Sequence, residues 1–308
     1  MGILFQDNTI ENFAGVKYLD FKPKGILLNW DSYVGISMSH RYQPFTFQKT
    51  EFNVGANAFL KNYWNVSVYT SFTPFKVNDF FEARTEGRNF VRPAYYYAGF
   101  WAKTDTRKRV YLMFTGGLAD STNPKDMYYE GTVEPNWRIN DKLNVAININ
   151  ASKDFSNFGY VQTLDNNDII LGRRTINIVG NTAGVQYSFT PKMNINLRAR
   201  HYWGKVVYYD YHTLNTDGST TLNTNYDEVN DINFNLFNLD LVYSWEFTPG
   251  SRLNIIWKDA IFENDDRKLD NYFTNVGKTF DSPQDNFFAV KLLYFLDYAQ
   301  MKHWFSKS

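Results

Sequence analysis

Apolar and polar side chains alternate along much of the chain, in segments about ten residues long. The clearest segments begin at Leu143, Met193 and Leu239, and another runs from Phe288 to Tyr298. Successive side chains of a β-strand point to opposite faces of a sheet, so each segment predicts a strand with one apolar and one polar face. We predict twelve antiparallel strands, at residues 17–30, 46–60, 64–74, 95–104, 109–117, 128–139, 143–152, 175–189, 193–205, 233–247, 251–260 and 287–299.

Two places in this pattern are irregular. Residues 31–34 favour a turn, and residues 35–45 favour either an extra strand or an extension of the following one. Pro135 lies inside a predicted strand but has no N–H to give to a neighbouring strand, so we expect an irregularity beside it.

The connections between the strands are alternately short and long. Tight turns are predicted at residues 61–62, 105–108, 140–142, 190–192 and 248–250, and long polar stretches at residues 74–94, 117–127, 152–174, 205–232 and 260–286. This asymmetry is typical of outer-membrane β-barrels, in which short periplasmic turns alternate with long surface loops. A soluble β-sandwich also has strands with one apolar face, but it has no reason to sort its loops in this way.

Composition supports the same class of protein. Aromatic residues make up 19% of the chain, and they are favoured in strands and at membrane interfaces. No apolar run approaches the 18 residues of a membrane-spanning helix. The charges balance, with 32 basic and 32 acidic residues, so nothing indicates a nucleic-acid partner. The chain has no cysteine, which excludes disulfides and thiol catalysis.

The alternation assigns side chains to three environments. Six apolar residues are predicted to face lipid: Leu143, Val145, Ile147, Leu239, Leu241 and Leu292. Four tryptophans are predicted to form an interfacial girdle: Trp64, Trp137, Trp245 and Trp257. Four charged residues are predicted to line the lumen: Arg138, Arg198, Arg200 and Glu246.

Residues 16–300 are predicted to form the barrel, with an N-terminal extension at residues 1–15 and a tail at residues 301–308. The first residues have neither the basic region nor the apolar core of a signal peptide. Because an outer-membrane protein is exported, we expect the sequence to be part of a longer chain.

Residues that carry chemistry are sparse. The four histidines (His40, His201, His212 and His303) have no metal-ligand spacing, and no hydrolase or phosphate-loop motif occurs. Asp- and Asn-rich stretches such as residues 165–168 are expected to form turns in preference to calcium sites. Four tyrosines of one long loop region are candidates for stacking on sugars: Tyr208, Tyr209, Tyr211 and Tyr226. We expect no metal, no cofactor and no catalytic residues.

Three segments resemble a known family. FNLFNLDLVYSWEFTPGS at residues 234–251, NIIWK at residues 254–258 and IILGRR at residues 169–174 are similar to segments of family 5916 of the domains of unknown function, which occurs in Bacteroidota. The resemblance implies the C-terminal outer-membrane barrel region of such proteins, which usually carry an N-terminal carbohydrate-binding module similar to family nine. The family defines no catalytic residues.

The leading hypothesis is a non-enzymatic, porin-like barrel of about 12 strands in the bacterial outer membrane, or part of a larger barrel. It would serve as a channel, a transport component or a surface scaffold linked to glycan handling. Its expected partners are outer-membrane lipid and lipopolysaccharide, with surface glycans or envelope lipoproteins as further candidates. The alternatives are a carbohydrate-binding or carbohydrate-processing envelope protein that acts through its loops, and a soluble extracellular β-sandwich.

Overall fold

The computed structural model describes residues 8–122, 126–264 and 271–296. The described chain is almost entirely antiparallel β-sheet, with a single short helix among these residues. The strands are β1 (Thr9–Asp20), β2 (Leu27–Arg41), β3 (Thr46–Leu60), β4 (Asn65–Thr73), β5 (Val77–Asp79), β6 (Phe90–Arg92), β7 (Tyr95–Lys103), β8 (Val110–Ser121), β9 (Met127–Arg138), β10 (Leu143–Thr163), β11 (Ile169–Thr190), β12 (Met193–Leu214), β13 (Thr220–Leu222), β14 (Ile232–Thr248), β15 (Ser251–Asn264) and β16 (Gln284–Leu293). Helix α1 (Tyr272–Thr279) lies between β15 and β16.

Thirteen strands follow one another in a single sheet, in the order β1-β2-β3-β4-β7-β8-β9-β10-β11-β12-β14-β15-β16. Strand β13 pairs with β12, and β5 and β6 form a separate two-stranded sheet. Within the described residues β1 and β16 each pair with only one strand, so the sheet has two open edges. No helix in the described part of the chain is long and apolar enough to cross a membrane.

The five predicted tight turns are confirmed, and they lie at one end of the sheet, which we call the turn end. The opposite end, the loop end, carries the connections at residues 74–94, 215–231 and 271–283. The predicted long loop at residues 152–174 is wrong, because β10 continues to Thr163 and β11 begins at Ile169. Apolar burial stabilises the longer strands, because the side chains of Ile169 and Leu171 in β11 are fully buried.

The predicted strand at residues 17–30 is also wrong. Strand β1 already begins at Thr9, inside the predicted N-terminal extension, and it ends at Asp20 before a turn in which Gly25 has a φ of +58°. The predicted turn at residues 31–34 lies inside β2. There Asp31 forms an ion pair of 3.1 Å with Lys17 across the sheet, so a polar residue that favours turns is held within a strand.

The irregularity expected at Pro135 is present. The ladder between β9 and β10 pairs Asn136 with Ala146 and next pairs Val133 with Ile149, so it is interrupted opposite the proline. The missing N–H of Pro135 is the physical reason, since that residue cannot donate to the neighbouring strand.

The strand register divides the side chains between two faces of the sheet. On one face, which we call the belt face, large apolar side chains are exposed in every strand of the main sheet except β12; for example, Val68 is 59% exposed and Val290 is 71% exposed. The set comprises Val16, Tyr18, Val34, Met38, Val54, Val68, Phe72, Tyr96, Phe100, Val110, Leu118, Met127, Tyr129, Val133, Trp137, Ile147, Ile149, Phe189, Trp245, Ile255, Phe288, Val290 and Leu292. We call these residues the apolar belt.

Candidate functional site

An open cavity of about 1560 Å³ lies at the loop end, against the face opposite the apolar belt. Its walls include Glu11 of β1, Lys49 of β3, Tyr95 of β7 and Asp154 of β10. In a flat sheet β1 and β10 would lie about 34 Å apart, since seven interstrand spacings separate them. One cavity touches both strands because the sheet curls with this face inside, and we call it the cavity face.

Residues 74–94, which we call the inserted loop, extend from β4 across the cavity to the loop-end parts of β10, β11 and β12. The guanidinium of Arg88 donates to the backbone oxygens of Leu214 and Asn215, at 2.8 and 2.9 Å. The side chain of Glu82 accepts a hydrogen bond of 2.7 Å from the backbone N–H of Tyr160. The loop is thus fastened to strands on the far side of the cavity.

Apolar packing reinforces these hydrogen bonds. Ala83 and Phe90 of the inserted loop form a buried cluster with Ile169, Leu171 and Leu214 of β11 and β12. Burial of large apolar side chains contributes about 1.5–3 kcal/mol each, so this cluster stabilises the loop in its position across the cavity.

Arg92 organises the inserted loop from within. Its guanidinium forms ion pairs with Asp79 at 2.8 Å and with Glu82 at 3.1 Å. Burial opposes ionisation of Asp79, but the hydrogen bond and charge of Arg92, together with two backbone N–H donors, hold the pKa of this carboxyl below its usual value. The carboxylate therefore stays ionised, and the pair keeps the two short strands β5 and β6 together.

Charged residues of both signs line the cavity. Arg41 and Lys49 lie near Glu11 on the side of β1 to β3, and Lys49 forms an ion pair of 2.8 Å with Glu51. The side of β8 to β10 carries Asp120, Asp126 and Asp154. Burial raises the pKa of Asp126, although a hydrogen bond with Ser121 acts in the opposite direction. The cavity is therefore a polar space whose walls carry both signs of charge.

The four residues predicted to line the lumen all lie on the cavity face, as their register shows. A second cavity of about 640 Å³ at the turn end is bordered by Arg138 and Arg198. Arg200 forms an ion pair of 2.7 Å with Asp240, and Glu246 lies 3.9 Å from Arg252.

The six residues predicted to face lipid all lie on the belt face; their cross-strand partners include Tyr187, Leu197 and Leu253. Trp137 and Trp245 lie on this face within three residues of a tight turn, and Trp64 immediately precedes β4. Trp257 lies further from the turn end, opposite Leu241, and its ring stacks on Phe288 at 6.0 Å. Trp257 therefore lies further from the turn end than Trp137 and Trp245 and is not part of the same row of tryptophans.

The four candidate sugar-stacking tyrosines are mostly packed against one another. The rings of Tyr208 and Tyr211 stack at 5.7 Å, and Tyr226 meets Tyr211 edge to face at 4.6 Å. Tyr209 is the exposed member, and its hydroxyl donates to Ser156 at 2.6 Å. The described residues include no cluster of three or more histidines and acidic residues placed to hold a metal ion.

Comparison with known proteins identifies the family. The model of a family described as a domain of unknown function, DUF5916, matches residues 1–305. The chain belongs to the DUF5916 family. No curated protein matches this DUF5916 chain.

Sequence patterns did not predict the inserted loop as a structural element. The loop lacks periodicity, and its fastening depends on residues that are more than 70 positions away in the chain, as with Glu82 and Tyr160. The one available signal is composition, because residues 79–92 combine three phenylalanines with alternating acidic and basic residues.

Proposed function

We propose that this chain forms the wall, or a large part of the wall, of a transmembrane β-barrel in a bacterial outer membrane. The apolar belt is the observation that carries the proposal. Soluble monomers rarely expose a contiguous apolar patch of more than a few hundred Å², and larger patches mark membrane or protein interfaces. A belt that recurs across the sheet, on one face, has the arrangement required for contact with lipid.

The height of the belt agrees with this proposal. On β14 the apolar residues of the belt face run from Phe237 to Phe247, which are ten residues apart. With a rise of about 3.4 Å per residue and a tilt of about 40°, they cover about 26 Å along the membrane normal. The apolar band of outer-membrane barrels is about 25 Å tall.

The same belt argues against a soluble β-sandwich, because a sandwich buries its apolar face under a second sheet. The second sheet among the described residues is the two-stranded β5-β6 unit. It is part of the inserted loop and lies in the cavity, on the opposite side from the belt.

We further propose a non-enzymatic role, as a channel or transport component for small polar solutes or as a surface scaffold. The cavity would be the vestibule on the loop side, and the inserted loop would narrow it. The polar and charged lining of the cavity, with both signs of charge, favours polar solutes over apolar ones. Lipid and lipopolysaccharide would surround the belt.

The first experiment is the migration of detergent-extracted protein on a gel, with and without boiling. A faster unboiled band that shifts on boiling is expected for a closed, detergent-stable barrel, and conductance in planar bilayers then tests the channel. Recovery from the soluble fraction without detergent would overturn the membrane assignment. Aggregation without a shift would contradict the view that this chain closes a barrel alone.

Glycan handling through the loops is a second candidate, supported by the exposure of Tyr209. Binding of surface glycans that is lost in Tyr209→Ala but retained in Tyr208→Phe would support it. Equal binding by both variants would contradict it.

A further inference from the structure

Helix α1 packs on the belt face, at the loop side of the apolar belt, through hydrogen bonds and through the ring of Tyr272, which meets His201 and Trp203 edge to face. The side-chain oxygen of Asn275 accepts a hydrogen bond of 3.0 Å from Asn233, and the hydroxyl of Thr279 accepts one of 2.6 Å from Asn235. The hydroxyl of Tyr272 accepts a hydrogen bond of 2.5 Å from Asn181. The helix is therefore seated on amide groups of β11 and β14.

The polarity of α1 is inverted relative to an ordinary surface helix. Asn275 and Thr279, which face the sheet, are 2% and 1% exposed, whereas Phe273 is 82% exposed and Phe280, directly after the helix, is 59% exposed. A helix at a protein–water surface normally buries its apolar side and turns its polar side outwards. The outward side of α1 is thus suited to an apolar environment.

The exposed phenylalanines continue the apolar belt. The ring of Phe280 meets Phe237 edge to face at 5.3 Å. Phe237 precedes Leu239 by two residues in β14 and therefore lies on the same face, one step towards the loop end. Where the sheet itself becomes polar, at Asn235 and Asn233, the helix covers the polar residues and presents apolar ones.

We propose that α1 is a lipid-contacting helix, which lies at the boundary between acyl chains and headgroups on the loop side of the membrane and inserts Phe273 and Phe280 among the acyl chains. Helices with one strongly apolar side take this position at membrane interfaces. Here the polar side of the helix binds the sheet instead of water. This inference rests on the proposed membrane-spanning function, and the occupant it names is lipid.

The absence of cysteine from the sequence permits a direct test with single-cysteine variants. A nitroxide spin label is attached to Phe273→Cys, and the full chain is reconstituted in phosphatidylcholine vesicles. Oxygen concentrates in the acyl region, whereas a water-soluble nickel chelate is excluded from it, so the ratio of the two relaxation effects reports lipid contact. Leu241→Cys in the belt and Lys61→Cys in a tight turn are the matched controls, and Phe280→Cys is a second reporter on the helix side.

The inference predicts that the labels at positions 273 and 241 both relax more strongly with oxygen than with nickel, with position 273 the shallower. The label at position 61 should respond mainly to nickel. A lipid signal at position 241 combined with nickel access at positions 273 and 280 would overturn the lipid-contacting helix and leave the barrel proposal standing. Labels at 273 and 280 that neither reagent reaches would indicate a protein partner and would also overturn the inference. Nickel access at position 241 would overturn the membrane assignment itself.

Discussion

Replacement of Leu241 by arginine is the sharpest test of the assignment of faces. Leu241 lies in β14 between Leu197 and Trp257 of the neighbouring strands, all on the belt face. It is four residues from Trp245, which corresponds to about 10 Å along the membrane normal, so Leu241 lies near the middle of a layer about 25 Å thick. An arginine at that depth costs about 2–4 kcal/mol, which lowers the equilibrium constant for insertion about 30- to 900-fold.

The assay is equilibrium folding of the variant into phosphatidylcholine vesicles over a urea series. Asn148→Arg is the matched control, because Asn148 lies on the cavity face and its amide donates to Glu134 at 3.0 Å. A guanidinium there would meet a carboxylate, so the change should stay within about 0.5 kcal/mol. Equal losses in both variants, or no loss in Leu241→Arg, would refute the assignment of lipid and lumen to these faces.

Three further predictions concern the inserted loop, a turn and the helix. Arg88→Ala removes two charge-assisted hydrogen bonds, each contributing about 1.5–3 kcal/mol. Amide hydrogen exchange in residues 80–92 should therefore be at least tenfold faster, while exchange in β14 stays unchanged. The hydrogen bond from Arg107 holds the pKa of Asp105 at about 2, below the value of about 3.9 for an aspartate in the unfolded chain. The ionised carboxylate of Asp105 therefore stabilises the fold fully above pH about 5, and this stabilisation is lost as the pH falls through 2. An NMR titration of Asp105 should follow that value, and Arg107→Ala should return it to the usual range. Asn235→Ala leaves the buried hydroxyl of Thr279 without its donor and should lower the free energy of urea unfolding by about 1–3 kcal/mol. An unchanged unfolding midpoint would contradict the view that this hydrogen bond holds α1 on the sheet.

Alternation along the chain was sufficient to predict the faces of the sheet. A period of two is a local property, so Leu143, Leu239 and Leu292 could be assigned to one face before the register of any strand was known. The tight turns were also predictable, because Thr190-Pro191 and Thr248-Pro249-Gly250 end one strand and begin the next within a few residues.

The errors arose where long-range contacts decide the structure. Residues 152–174 look like a polar loop, yet β10 and β11 occupy all but residues 164–168. The inserted loop supports this extension, because it packs on Leu171 and accepts a hydrogen bond from Tyr160. The helix was not predicted because it has only eight residues, too few for a period of 3.6 to stand out within a long polar stretch. The asparagines that seat it, Asn233 and Asn235, had no distinguishing sequence signal.

The directions of the two edge strands restrict how this sheet forms a closed barrel. Strands β1 and β16 both run from the loop end to the turn end, because they are the first and the last of thirteen strands that alternate in direction. A direct pairing of β1 with β16 would therefore be parallel, and such pairs are slightly less stable per residue than antiparallel ones. Fully antiparallel closure requires an odd number of additional strands from outside the described residues. Thirteen plus an odd number is even, so closure of that kind gives the even strand count found in bacterial outer-membrane barrels made of a single chain.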